Sequence, residues 1–228
     1  MTPLLIVDVE TSGTDPATDH LVEVAALLFD TEHGVPLSCM SALIAAESNG
    51  AAAINRIPEP CLRRPWLTDD VPRFFRACVP PGVEPIYVAH NAAFDRAFLP
   101  GIGERWICTL EDAEWPRADG ARSLTAIALA YDVGVAHRAI EDCLTLAAIL
   151  TKVHEIEGGL GDWLARAVEP RVEVVAQVSY DDRELAKRAG FGWDAGSRLW
   201  TRRVRRSVVG EYTAGLPFRT RTLVEAAQ

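Results

Sequence analysis

Leu4-Leu5-Ile6-Val7-Asp8-Val9-Glu10-Thr11 is the stretch from which the rest of the chain can be read. Leu4 to Val9 has the continuous Leu, Ile and Val content of a buried strand. Asp8 interrupts that run, and a charge inside a buried strand is costly unless it is paired or binds a metal. Asp8 and Glu10 are two apart, so their side chains leave the same face of the strand. Two carboxylates on one face can grip a cation, although a chain holding 32 acidic residues also produces a D-x-E by accident.

Outward from this strand, Leu21 to Phe29 and Leu37 to Ala45 are further apolar runs, punctuated by Gly34 and Pro36 as in a hairpin or meander. Residues 69–78 predict a helix that tolerates Pro72 in its first turn. Ile86 to Ala89 predicts a short strand, Ala92 to Leu99 a helix, and Trp106 to Cys108 a fifth strand. Ser123 caps a helix over 124–130, and Ala139 to Ile156 is the longest helical pattern, with Ile140, Leu144, Ala147, Ala148 and Val153 mostly at helical spacing. Strands first, then strands alternating with helices, predict an α/β domain on a mixed five-stranded sheet flanked by helices. Gly158, Gly159 and Gly161 predict a flexible break. The expected division is therefore a domain over 1–157, a linker over 158–170 and a small α+β module over 171–228.

Charge divides along the same line. Residues 1–170 hold 12 basic and 25 acidic side chains, a net of −13, and residues 171–228 hold 11 and 7, a net of +4. An enzyme that holds an anionic substrate through metal ions need not be basic, because the ions supply the positive charge. No apolar run reaches the ~20 residues of a membrane span. The amino terminus has neither a basic start nor a small-residue cleavage site, so no signal peptide and no membrane partner are expected. Five scattered cysteines without a C-x-x-C pair predict reduced, mostly buried thiols and a cytoplasmic location.

Three further pieces carry chemistry. Asp95 lies in the helix after the strand 86–89, at the carboxyl edge of the sheet where ligands collect; the bland alternative is a first-turn acid facing the helix dipole. Asp142 falls early in the long helix, with Glu141 as its competitor, and His137 lies in the loop before it. Four carboxylates in one cleft repel strongly unless cations neutralise them, and an all-oxygen donor set favours Mg²⁺ or Mn²⁺ over zinc. With an imidazole added, the inventory suits two divalent cations, an attacking water and a base, and so phosphodiester hydrolysis.

Asp8-Val9-Glu10-Thr11-Ser12-Gly13, then Asn91-Ala92-Ala93-Phe94-Asp95, then His137-Arg138-Ala139-Ile140-Glu141-Asp142 resemble the three motifs of the DEDDh 3′→5′ exonucleases, over about residues 4–155. Tyr87 to Arg96 with Trp106 to Thr109 is most similar to the exodeoxyribonuclease X-like branch. The resemblance implies a ribonuclease-H-like fold and a 3′→5′ exonuclease that releases 5′-mononucleotides from DNA. It implies Asp8, Glu10, Asp95 and Asp142 as ligands of two Mg²⁺ ions, replaceable by Mn²⁺, and His137 as general base. It also implies Thr11, Ser12, His90, Asn91 and Phe94 near the terminal nucleotide, with Phe94 equally serviceable as core. Several relatives carry His-Arg-Ile where this chain has Asn55-Arg56-Ile57, and Asn55 takes the substrate-binding place of that histidine with hydrogen bonds but no charge. The implied partners are a nucleic acid with a free 3′ end and replication or repair proteins. An exoribonuclease and a non-catalytic binding module on the same fold are the alternatives. Trp193, Trp200 and the arginines of the C-terminal module suit either phosphate contact with base stacking or a small tryptophan core with solvated arginines.

Overall fold

The computed structural model describes residues 2–63, 66–118, 120–135 and 138–223. Two compact units divide the chain, Met1–Ala167 and Val168–Gln228.

The first unit is built on a sheet of β1 (Leu4–Thr11), β2 (Leu21–Asp30), β3 (Val35–Leu43), β4 (Ile86–Ala89) and β5 (Trp106–Cys108), in the order β3-β2-β1-β4-β5. β1, β2 and β3 run antiparallel, whereas β4 and β5 join β1 in parallel, giving the mixed ribonuclease-H-like sheet that was expected. β1 is apolar on both faces because both are covered. Leu4 and Ile6 belong to one core cluster, and Leu5, Val7 and Val9 to the other. Helix α1 (Ala52–Asn55) is a single turn, and α2 (Val71–Cys78) buries Phe74, Phe75 and Cys78 on the second of these faces. Helix α3 (Ala92–Phe98) follows β4 directly. Helices α4 (Leu124–Ala130) and α5 (Ala139–Glu157) cover the first face, and the Ser123 hydroxyl accepts from the Ala126 N–H to cap α4.

Helix α5 buries Cys143, Leu146, Ala147, Ile149, Leu150 and Val153. Leu144, which the spacing placed in the core, is exposed instead, because the buried stripe follows Cys143 rather than its neighbour. Gly158 ends the helix in the left-handed region, φ 72°, where a side chain would be strained. The linker expected over 158–170 is corrected: Gly161–Val168 forms helix α6, and Trp163, 1% exposed, packs its ring 5.7 Å from Trp115 in the main core. Three glycines in four residues suggested a break, but the tryptophan anchors the segment to the first unit. The cysteines also differ from expectation, since Cys39 and Cys61 are exposed and only Cys78 and Cys143 are buried.

The second unit holds β6 (Arg171–Gln177), α7 (Arg183–Arg188), β7 (Gly192–Asp194), β8 (Leu199–Arg205), α8 (Val209–Ala214) and β9 (Arg219–Leu223). Its sheet is antiparallel in the order β7-β8-β6-β9. Val172, Val174 and Ala176 of β6 form its core with Val204, Ala186 and Phe191. Among the described residues no helix is long and apolar enough to cross a membrane.

Candidate active site

β1 delivers two carboxylates to the face covered by α5. Asp8 pairs across the ladder with Ala25 and Glu10 with Glu23, and the register shifts just beyond Glu10. Asp8 and Glu10 thus continue the side that Leu4 and Ile6 bury, toward the carboxyl end of the strand. Asp142 comes from the first turn of α5, whose next residue, Cys143, sits against the Ile6 carbonyl with its Sγ 3.7 Å away. Asp95 comes from α3, started in place by Asn91, whose backbone adopts the left-handed conformation (φ 80°, ψ 48°) that Asn tolerates better than most residues.

These four acids line one cleft of about 460 Å³ with Val9, Ile54, Arg56, His90 and Phe94. Three separated stretches of sequence therefore meet there, and Asp142 rather than Glu141 is the acid that faces inward. Among the described residues the acids share the cleft without closing into a tight cage of three or more ligands.

The electrostatics are those of crowded carboxylates. Burial, then the charges of Asp95, Asp142, Glu10 and Glu23, push the Asp8 carboxyl well above its ordinary range. Burial, then Glu23 and Asp142, raise Glu10 to about 7, against a downward pull from Arg138. Asp95 is 2% exposed and burial lifts it to about 7, although its own N–H and that of Val9 donate to the carboxylate and oppose the rise. Carboxylates held this far from their comfortable state fit bound cations, which would relieve both the desolvation and the repulsion.

His90 borders the cleft but is occupied. Its Nε2 is 3.0 Å from the Arg122 carbonyl and its Nδ1 3.0 Å from the Thr109 hydroxyl. A carbonyl only accepts, so Nε2 carries a proton. Burial holds the ring below the usual histidine range, hence neutral. With both nitrogens engaged, His90 is a wall of the cleft and not a free base. His137 lies outside the described residues. Arg138, next to it, forms a two-point ion pair with Glu23: Nε donates to Oε2 at 2.9 Å and Nη2 to Oε1 at 2.8 Å. The Ser41 hydroxyl donates to the same Oε1 at 2.9 Å. That network was not anticipated, and only the alternation of Glu23 inside an apolar strand signalled it.

Of the residues the sequence placed near the substrate, His90 and Phe94 line the cleft, with the Phe94 ring also 5.2 Å from that of Phe98. The other four, Thr11, Ser12, Asn55 and Asn91, are not among the residues that line it. Asn55, 1% exposed, donates to the Thr11 carbonyl at 3.1 Å and accepts from the Ile57 N–H at 3.1 Å, and it exchanges two hydrogen bonds with Asn49. The Thr11 hydroxyl donates to the Gly13 carbonyl. The Ser12 hydroxyl accepts from the His20 N–H at 2.9 Å. Asn91 acts through its backbone, and its exposed side chain makes no cap to α3. Facing the cleft in place of Asn55 are its neighbours Ile54, 77% exposed, and Arg56, in the left-handed region at φ 59°.

Comparison with known proteins agrees with this geometry. Exodeoxyribonuclease 10 of Escherichia coli (strain K12) is 32% identical over 173 residues, covering 71% of this chain and 73% of that protein. The solved structure described as Exonuclease X in complex with 5′ overhanging duplex DNA is 33% identical, covers 71% of this chain and 97% of its own, and superposes with a TM-score of 0.56. Escherichia coli Exonuclease I in complex with a dT13 oligonucleotide shares the fold at 18% identity and a TM-score of 0.56, over 78% of this chain and 49% of its own. Residues 172–223 match a family model described as a domain of unknown function (DUF8626).

Proposed function

The chain belongs to the DEDDh exonuclease superfamily, and from that premise we propose that its acidic cleft removes 5′-mononucleotides from the 3′ end of DNA with two divalent cations, Mg²⁺ or Mn²⁺, held by Asp8, Glu10, Asp95 and Asp142. It is an exodeoxyribonuclease. One observation carries the metal assignment: four carboxylates from β1, α3 and α5 line a single cleft in which burial and mutual repulsion raise those of Asp8 and Glu10, and burial that of Asp95. Divalent cations held by that donor set would neutralise it and would supply an acidified water and charge stabilisation for the departing 3′ oxygen.

The side chains around the acids supply the remainder. Arg56 is the one permanent cation among the described lining residues, and its guanidinium suits a phosphate oxygen of the bound strand. Ile54 and Phe94 give the cleft apolar walls against which the terminal nucleoside rests, with His90 fixed beside them by its two hydrogen bonds. The proton of the attacking water passes to His137, the base that the motif order supplies and the occupied His90 does not. Arg138 and Glu23 fix the start of α5 on β2, one residue from that base.

The test is an end-labelled oligonucleotide, DNA beside RNA, incubated with Mg²⁺ and with EDTA. Stepwise shortening of DNA from the 3′ end in Mg²⁺ and none in EDTA is the expected result. Preference for RNA would reassign the substrate, and binding without cleavage would make the chain a non-catalytic module.

A further inference from the structure

The sheet of the second unit has one face covered by its own helices and one that carries arginines. Val172, Val174 and Ala176 point to the α7 and α8 side, where they form the core. Glu173, Val175 and Gln177 therefore point to the opposite side, and their ladder partners share it. Those partners are Arg203 and Leu223 on either side of Glu173, Thr201 and Arg221 on either side of Val175, and Arg219 beside Gln177. β8 and β9 flank β6, so Arg203 stands ~10 Å across the face from β9, on which Arg219 and Arg221 are ~7 Å apart.

All three arginines are exposed. Among the described residues none of them is in an ion pair, whereas Arg183 and Lys187 are tied to Glu184, and Arg205 to Glu169. Glu173 is the one acid among them, and it is half-buried. Holding three exposed guanidinium groups together on one face is unfavourable for the unit alone and favourable once a polyanion lies across it. The tryptophans take no part. Trp200 packs into the core on the other face, and Trp193 lies against it with ring centres 5.4 Å apart and planes tilted by 58°.

We propose that this face, through Arg203, Arg219 and Arg221, grips the phosphate backbone of single-stranded DNA as a site separate from the catalytic cleft. It takes its choice of polyanion from the activity proposed above. Charge complementarity selects the occupant: residues 1–170 carry a net −13 and cannot retain a polyanion away from their cations, whereas residues 171–228 carry +4. Arginine forks match phosphate oxygens in pairs, and the exposed ends of these three stand around Val175, itself 2% exposed.

The experiment is fluorescence anisotropy of the full chain with a labelled oligo-dT in EDTA, where the metal-free cleft neither cuts nor attracts DNA. Three phosphate contacts on a single strand contribute a slope of about −2 in log affinity against log salt, so they account for about a 20-fold loss between 50 and 200 mM salt. The variant R203Q/R219Q/R221Q is expected to lose that component and to keep the wild-type melting temperature. A variant of equal charge, R188Q/R198Q/R206Q, alters exposed arginines elsewhere on the unit and is expected to keep most of the slope. Equal slopes in wild type and the first variant, or equal losses in both variants, would overturn the proposal. Cleavage in Mg²⁺ is scored separately. Cutting with no arginine-dependent binding sinks this inference alone, and binding without cutting sinks the proposed activity alone.

Discussion

Asp95 is a residue through which the metal-free protein should be sensitive to pH. Its carboxyl is 2% exposed and raised to about 7 from an ordinary 3.8. A carboxylate with a raised folded-state pKa contributes stability that is fully present below the unfolded value and is lost as pH climbs through the folded one. In EDTA the protein should therefore weaken between about pH 4 and pH 7. At pH 8 the ionised side chain costs about 4 kcal/mol, at 1.36 kcal/mol for each unit of the shift. Water in the open cleft screens part of this, which leaves roughly 2–4 kcal/mol. Asp95→Asn removes the charge and keeps an oxygen to accept from the Val9 N–H. In EDTA at pH 8 the variant is expected to melt higher than wild type by about 5–15 °C, at about 2–4 °C per kcal/mol for a chain of this size. At pH 5, where the folded wild type is already protonated, the gap should shrink to under half. Mg²⁺ should raise the wild-type melting temperature at pH 8 and that of the variant much less, and the variant should lose DNA cleavage. Thermal melting of both proteins from pH 5 to 8.5, with and without Mg²⁺, measures all of this. An Asp95→Asn protein that melts at or below wild type in EDTA at pH 8 would refute the reasoning.

Other expectations follow from the same geometry. His137→Ala should lower turnover by about 10²–10⁴-fold, the range for removing a general base, while the melting shift on adding Mg²⁺ survives; near-normal turnover would return the base to some other group. Arg138→Met leaves Glu23, 3% exposed, facing Glu10 without its partner. Urea unfolding should then show a loss of about 2–3 kcal/mol, below the usual cost of a broken buried pair because Arg138 is itself partly exposed, and the loss should be greater at pH 8 than at pH 5. Asn55→Ala strips the hydrogen bonds from the Thr11 carbonyl and the Ile57 N–H. It should cost about 2 kcal/mol, and an unchanged midpoint in urea would show that those groups find other partners.

What could be read from the sequence was what neighbours decide. β1 was legible because its apolar run needs no distant information, and Asp8 stood out because it breaks that run. α3 and its Asp95 were legible for the same local reason, as was the fifth strand at Trp106 to Cys108. Several features that were not legible depend on partners far along the chain. Asn55 is a structural clamp because its amide meets the Thr11 carbonyl 44 residues away. α6 was taken for a linker because its glycines are visible locally and the place of Trp163 beside Trp115 is not. The Arg138–Glu23 pair spans 115 residues. Composition did suggest a basic module, but only strand register could say that Trp200 faces the core while Arg203 and Arg221 face outward.

The Arg138–Glu23 pair also bears on how a chain can keep so many acids together and still fold. Glu23 is directly opposite Glu10 on the neighbouring strand, so β1 and β2 would set two like charges side by side. Arg138 takes both Glu23 oxygens and lowers the burden on Glu10 as well. One fixed cation thus offsets the outermost of the repulsions, those between strands. Among the inner acids, burial and the neighbouring carboxylates raise Asp8 well above its ordinary range. A fixed cation on each inner acid would make the cleft more stable without metal and would make it bind cations less tightly, since each acid so neutralised would no longer draw them in. Stability given up at the inner acids is recovered when cations bind, so in Mg²⁺ the fold and the proposed catalytic site should strengthen together.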